Sequence, residues 1–220
     1  MNVSGVFFDL DGTLADTAPD LAAATNQLLL NHGQPALPHA QLRPFVSGGS
    51  PALIKIAFGL TPKDQGFESL KQEFLDIYEK AYLVETKLFK GIEESLTFLE
   101  QKQIPWGIVT NKPAYLANPL LKDMGLFSRA SVVIGGDTYP VKKPDPFPLI
   151  EACKLSETVI ATSIYVGDDE RDILAARAAN MPSVCAEWGY LANQDPSHWR
   201  ADYYLKKSTD LTGFLRNLID

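Results

Sequence analysis

The sequence predicts an α/β fold: a doubly wound, mostly parallel sheet with helices on its faces and a helical segment inserted after the first strand. Short apolar runs rich in β-branched and aromatic residues recur between turn signals. Helical patterns alternate with them, as in βαβ units. Between 19 and 82 that alternation stops, leaving only helical periodicity and turns.

The first strand is expected at 3–8, where GVFF is apolar throughout, as a strand covered on both faces must be. The strand-free stretch comes next. A helix over 21–31 stops at His32-Gly33, a C-capping pair. A turn over 35–38 leads to helical patterns at 40–45, 51–58 and 67–82. The alternation resumes with a helix at 93–101, a strand at 106–110, a helix at 113–124 and a strand at 131–134. A helix at 146–154, a strand at 163–166, a helix at 170–179 and a strand at 183–186 complete it. This order describes a Rossmann-like core made of 1–16 and 84–220, with 17–83 as the inserted α-helical domain. There is no internal repeat or low-complexity tract.

A chain of 220 residues can bury one full core, or a core with a small insertion. Its net charge of −7 and lack of a basic run argue against a nucleic-acid surface. An anionic ligand would therefore need local help from a metal, a lysine or backbone N–H groups. No apolar stretch approaches the ~20 residues of a membrane span. Asp9 and Asp11 interrupt the only apolar run near the N-terminus, so no signal peptide is expected. Cys153 and Cys185 lie in apolar segments without metal-ligand spacing and read as buried free thiols of a cytoplasmic protein. A monomer is the default expectation, a dimer the alternative.

Ligands of open α/β sheets bind beyond the carboxyl ends of the strands. After the first strand stand Asp9, Asp11, Gly12 and Thr13, and after the second Thr110, Asn111 and Lys112. Lys142 and Lys143 follow the third, and Asp168, Asp169 and Asp172 follow the fourth. Carboxylates, a hydroxyl and a lysine from separate strands would thus converge on one edge. Acids at the first and fourth strand ends suggest a hard cation with oxygen ligands, and Mg²⁺ suits a few carboxylates, waters and a substrate phosphate. Each residue alone has a plainer reading. Asp11-Gly12 could be only a turn, Thr110 a strand end, Lys143 a solvated loop residue, and Asp169 and Asp172 a favourable helix N-terminus. It is their order at successive strand ends that specifies a site.

DLDGT, VTNK, KKPDP and VGDDERD, in that order, resemble the four motifs of the haloacid dehalogenase-like phosphatases. The resemblance covers nearly the whole chain, the insertion included. It implies that Asp9 is the nucleophile that becomes phosphorylated, and that Asp11 is the general acid and then the base. It implies that Thr110 and Asn111 bind the phosphoryl oxygens and that Lys143 neutralises developing charge. Asp9, Asp168 and the backbone carbonyl of Asp11 would hold Mg²⁺, with Asp169 and Asp172 as candidates for direct or water-mediated contact. A sugar phosphomutase would use the same Asp9–Asp11 pair, whereas a dehalogenase would have little use for Asp11 or Asp168. A phospho-accepting receiver would be shorter and lack the insertion. There is no G-x-x-x-x-G-K-[ST] loop, and His32, His39 and His198 form no zinc or triad pattern.

Within this family the insertion resembles a helical cap that closes over the site and reads the leaving group. Arg43 and the Gly48-Gly49-Ser50 turn are its candidate substrate contacts. The turn would offer backbone N–H groups to a substrate carboxylate at a helix opening near Pro51. Its plainer reading is a loop with Ser50 as an N-cap. The chain looks most like the phosphoglycolate phosphatase group, including its relatives that act on N-acetylmuramic acid 6-phosphate. The VSGGS run departs from the Gly-Asn-Gly character common in phosphoglycolate phosphatases and leans toward those relatives. The expected partner is a small phosphorylated metabolite, with no nucleic acid and no membrane.

Overall fold

The computed structural model describes residues 3–220. Strand β1 (Gly5–Phe8) is followed by a two-residue strand β2 (Ala15–Asp16) and helices α1 (Ala18–Asn31) and α2 (His39–Leu42). A 3₁₀ turn at Arg43–Gly48 leads into α3 (Gly49–Phe58) and α4 (Phe67–Glu79), and β3 (Lys87–Leu88) brings the chain back. The remainder alternates: α5 (Ile92–Gln101), β4 (Trp106–Val109), α6 (Ala114–Asp123), β5 (Val133–Ile134), α7 (Phe147–Leu155), β6 (Ser163–Gly167), α8 (Glu170–Ala178) and β7 (Ser183–Ala186). An edge strand β8 (Tyr203–Leu205) and helix α9 (Leu211–Ile219) end it.

The main sheet has six parallel strands in the order β5-β4-β1-β6-β7-β8. Strands β1, β4, β6 and β7 are buried along their whole length, which explains their continuous apolar runs. The chain builds outward from β1 through β4 to β5, then returns to place β6, β7 and β8 on the other side. This reversal beside β1 is the switch point at which doubly wound sheets open a ligand crevice. Phe8 lies in register with Val166 and Ile108, so the ends of β1, β4 and β6 finish side by side.

The helical segment has a hydrophobic cluster of its own, built on Leu28, Leu42, Leu53, Phe67, Phe74 and Tyr78, and it meets the core through Leu116 and Tyr190. The two passages joining it to the sheet lie against each other, because β2 and β3 pair antiparallel. Asp20, buried in the first turn of α1, clasps the returning passage. Its carboxylate accepts the backbone N–H groups of Val84, Glu85 and Thr86 and the Thr86 hydroxyl, the last at 2.7 Å.

The sequence reading omitted β8, α9 and the β2–β3 pair. β8 is a short, half-exposed edge strand, α9 carries Gly213 in its first turn, and a two-residue strand has too few side chains to show alternation. The helix expected at 51–58 opens two residues earlier, at Gly49, and the pattern at 40–45 divides into α2 and the 3₁₀ turn. Among the described residues no helix is long and apolar enough to cross a membrane. Both cysteines are buried free thiols.

Candidate active site

Asp9 leaves β1 with its backbone N–H still bonded to the Val166 carbonyl at 2.9 Å, which fixes it beside the end of β6. The chain then turns at Gly12, whose φ is +88°, and a Cβ there would collide with the Asp168 carboxylate. The tight turn brings Thr13 back, and its hydroxyl donates to Asp168 Oδ1 at 2.8 Å. Asp168 is fully buried, and its other oxygen accepts the Tyr190 N–H at 2.8 Å and the Ser47 hydroxyl at 2.9 Å.

Lys143 arrives from the segment after β5, also buried. Its Nζ lies 3.1 Å from Asp9 Oδ1, 2.6 Å from Asp172 Oδ1 and 2.7 Å from the Tyr165 hydroxyl. Burial alone would lower this lysine, but Asp172 and Asp9 hold it above its ordinary range. Asp169 and Asp172 divide their tasks. Asp169 caps α8 and is gripped by Arg171, with its carboxyl held below the ordinary value despite burial. Asp172 turns inward to Lys143, while its second oxygen accepts the Asp169 N–H.

Asp9, Asp168 and Asp172 offer carboxylate oxygens within 4.8 Å of one another, all three buried. Burial pushes Asp168 well above the usual carboxylate range, and repulsion from Asp9 and Asp172 adds to it. Burial likewise pushes Asp172 up to about 7; Lys143 opposes this and Asp9 and Asp169 reinforce it. Three crowded acids sharing one lysine form a site short of positive charge, and their all-oxygen donor set fits a hard divalent cation.

Thr110 is buried at the end of β4, where its hydroxyl accepts the Lys112 N–H at 3.2 Å. Asn111 donates its side-chain amide to the Lys143 carbonyl at 2.9 Å, so it braces the lysine segment. Its Oδ1 is buried without a partner among the described residues. Asp11 stands apart from the acidic trio and pairs with Lys112 Nζ at 3.1 Å.

Many of these residues, though not the fully buried Asp168, line a cavity of about 490 Å³ between the strand ends and the helical segment. Asp9, Asp11, Thr110, Asn111, Lys143 and Asp172 form its core side, and Gly48, Gly49 and Ser50 face it from the insertion with Leu21, Phe74 and Leu75. Arg43 is not among the described residues lining it. Its guanidinium pairs with Asp16 at 2.7 Å and stands 4.8 Å over the Tyr190 ring. The sequence reading gave no role to Ser47, Tyr78, Lys112, Arg171 or Tyr190. Of these, Lys112 and Arg171 sit inside the VTNK and VGDDERD motifs and Ser47 inside the VSGGS run, but nothing in a linear pattern shows which carboxylate a distant hydroxyl will reach.

A family model described as haloacid dehalogenase-like hydrolase matches residues 6–186. A phosphoglycolate phosphatase of Xanthomonas campestris pv. campestris is 48% identical over 207 residues, covering 94% of this chain and 93% of its own. An N-acetylmuramic acid 6-phosphate phosphatase of Pseudomonas putida is 39% identical over 221 residues, covering 100% of this chain and 97% of its own. Among solved structures, a predicted phosphoglycolate phosphatase from Haemophilus somnus superposes with a TM-score of 0.86 at 25% identity, covering 98% of this chain and 99% of that one. The chain belongs to the haloacid dehalogenase-like hydrolase family. Its fold is the doubly wound sheet with a helical insertion, and its enzymatic class is phosphatase.

Proposed function

We propose that this phosphatase hydrolyses a small phosphorylated metabolite through a phosphorylated Asp9, with 2-phosphoglycolate as the leading substrate. One observation carries the reading: Asp9, at the floor of the cavity, has an ammonium 3.1 Å from its Oδ1 and two more buried carboxylates beside it. Such a group is placed to attack phosphorus rather than to pair and fall silent.

In the first half-reaction an Asp9 oxygen bonds to phosphorus as the ester oxygen departs, and Asp11 gives that oxygen its proton. In the second, Asp11 takes a proton from water, the water oxygen bonds to phosphorus, and the Asp9–phosphorus bond breaks to release phosphate. Lys143 offsets charge on the phosphoryl oxygens, and the Thr110 hydroxyl donates to them. Asp9, Asp168 and the Asp11 backbone carbonyl would hold Mg²⁺, with Asp172 the nearest further carboxylate, and the ion would supply added charge neutralisation at the transferring group. Residues 17–83 act as a cap that swings on the paired β2–β3 passages, excluding water and presenting Gly48, Gly49 and Ser50 to the leaving group. Arg43 serves that cap as a latch onto Asp16 and Tyr190.

A second reading, N-acetylmuramic acid 6-phosphate, is favoured by the cavity itself. Its 490 Å³ lies within the ~300–1,000 Å³ of sites that enclose drug-sized ligands, and Leu21, Phe74 and Leu75 line it. Phosphate release from both esters with Mg²⁺, compared as kcat/KM, decides between them. Failure to release phosphate from either would overturn the substrate proposal.

A further inference from the structure

Among the described residues, Lys112 is the one buried cation of the cavity that the mechanism above does not use. Its side chain is 5% exposed. Its Nζ reaches Asp11 Oδ1 at 3.1 Å and Oδ2 at 3.5 Å, and it donates to the Tyr78 hydroxyl at 3.0 Å. The core fixes its backbone, because its N–H bonds to Thr110 Oγ1 and its carbonyl accepts the Gly136 N–H at 2.8 Å. The helical segment fixes its head, since Tyr78 lies in the last turn of α4, 1% exposed and stacked on Phe74. The Tyr78 ring holds the ammonium as well, with Nζ 4.5 Å from its centroid.

A buried charge is a poor way to gain stability, since apolar residues of similar volume generally fill such a space at no loss. Lys112 therefore needs another reason to be charged. The terminal torsion of an aspartate is broad, so a carboxylate that transfers a proton must be held by its neighbours. Asp11 has such a neighbour in Lys112, and Lys112 is itself steadied by the cap.

Resting on the phosphatase reading above, the geometry points to Lys112 as a positioning residue. Anchored by Tyr78, it aims the Asp11 carboxyl at the leaving oxygen, so that proton transfer is fully set up only when the cap is seated. No atom of Lys112 enters the bonds that form or break.

The test compares two esters in the full chain with Mg²⁺: an alkyl phosphate, whose alkoxide must be protonated as it leaves, and p-nitrophenyl phosphate, whose phenolate leaves without a proton. Lys112→Met should lower kcat for the alkyl ester by about 10- to 100-fold, within the scale set by misplaced acid–base groups. The alkyl-to-aryl ratio of kcat should fall at least about 10-fold. Tyr78→Phe, which removes one oxygen, should move the same ratio in the same direction by about 3-fold, the scale of one hydrogen bond. Lys112→Arg should restore part of it. Equal losses on both esters, or a change confined to KM, would overturn the inference and make Lys112 a structural or substrate-binding group. If Lys112→Met does not fold, the ratio in Tyr78→Phe decides alone. A wild-type protein that turns over neither ester refutes the phosphatase reading itself. Active wild type with unmoved ratios refutes only the role of Lys112.

Discussion

The strand ends and the helical segment face the same cavity with opposite chemistry. On the core side the groups are acids and bases, buried and held by several partners each, as with Lys143 between Asp9, Asp172 and Tyr165. On the side of the helical segment apolar side chains and the glycine-rich 48–50 turn predominate, joined by Ser47, Lys71 and Tyr78. The contrast teaches a division of labour. Bond making needs charges fixed within tenths of an ångström, which parallel strand ends provide, whereas recognition needs a surface that can leave and return. Polar links across the gap, among them Ser47 to Asp168, Arg171 to the Ser47 carbonyl and Tyr78 to Lys112, tie the helical segment to the core.

The largest expected effect is on the core side. Asp9→Asn should abolish turnover of every ester, because an amide cannot form the phosphoenzyme bond, while the thermal transition stays cooperative. Retained phosphate release with Mg²⁺ would remove Asp9 from the centre of the site. Removal of divalent ions with a chelator should silence the wild type equally, and added Mg²⁺ should restore it. Because a ligand bound only by the native state stabilises it by about 2.7 kcal/mol at 100 times its Kd, Mg²⁺ should also raise Tm. That rise should vanish in Asp168→Asn; an undiminished rise would place the ion elsewhere. Next comes Asp11→Asn, with a loss of about 100-fold or more for alkyl esters and less for p-nitrophenyl phosphate.

The two regions were also unequally legible in the sequence. Asp9, Asp11, Thr110, Lys143 and Asp168 follow buried strands, and a parallel sheet forces its strand ends together, so order along the chain translates into proximity. The cap has no such rule. Which helix face meets the cavity depends on hinge geometry, set by Asp20 and by a pair of two-residue strands too short to read. Thus a turn pattern marks Gly48, Gly49 and Ser50 as candidate substrate contacts, and they line the cavity, while Tyr78 reads as one more aromatic on the buried face of α4. Arg43 shows the limit from the other side, since the chain gives no sign that Asp16 and Tyr190 will claim it.

The hinge offers a test of intermediate size. Asp20→Ala leaves the N–H groups of Val84, Glu85 and Thr86 without their acceptor, and of these Thr86 is buried. An unsatisfied buried donor costs about 1–3 kcal/mol, so Tm should fall measurably. The kcat/KM of a large ester should fall further than that of p-nitrophenyl phosphate, because only the former depends on cap seating. Unchanged Tm would mean that the clasp does not order the hinge.

The smallest effect is expected at Arg43, and it bears on the comparison most directly. Its ion pair with Asp16 is partly exposed, with side chains 30% and 21% accessible, so Arg43→Gln should cost about 1 kcal/mol and lower Tm by about 2–4 °C. The pH dependence has a definite sign. Burial would raise Asp16, but hydrogen bonds from Arg43 and Tyr190 outweigh it and leave the carboxyl below its ordinary 3.8. A carboxyl depressed in the folded state stabilises fully above its unfolded value, and that contribution is lost as pH falls through the folded one. The wild-type advantage over Arg43→Gln should therefore be complete at neutral pH and shrink only in acid below 3.8. Activity separates latch from substrate contact. As a latch outside the cavity wall, Arg43 should lower kcat/KM of large esters by the same factor whether or not they carry a carboxylate. A loss confined to the carboxylate-bearing substrate would move it from the frame of the cap to its reading surface.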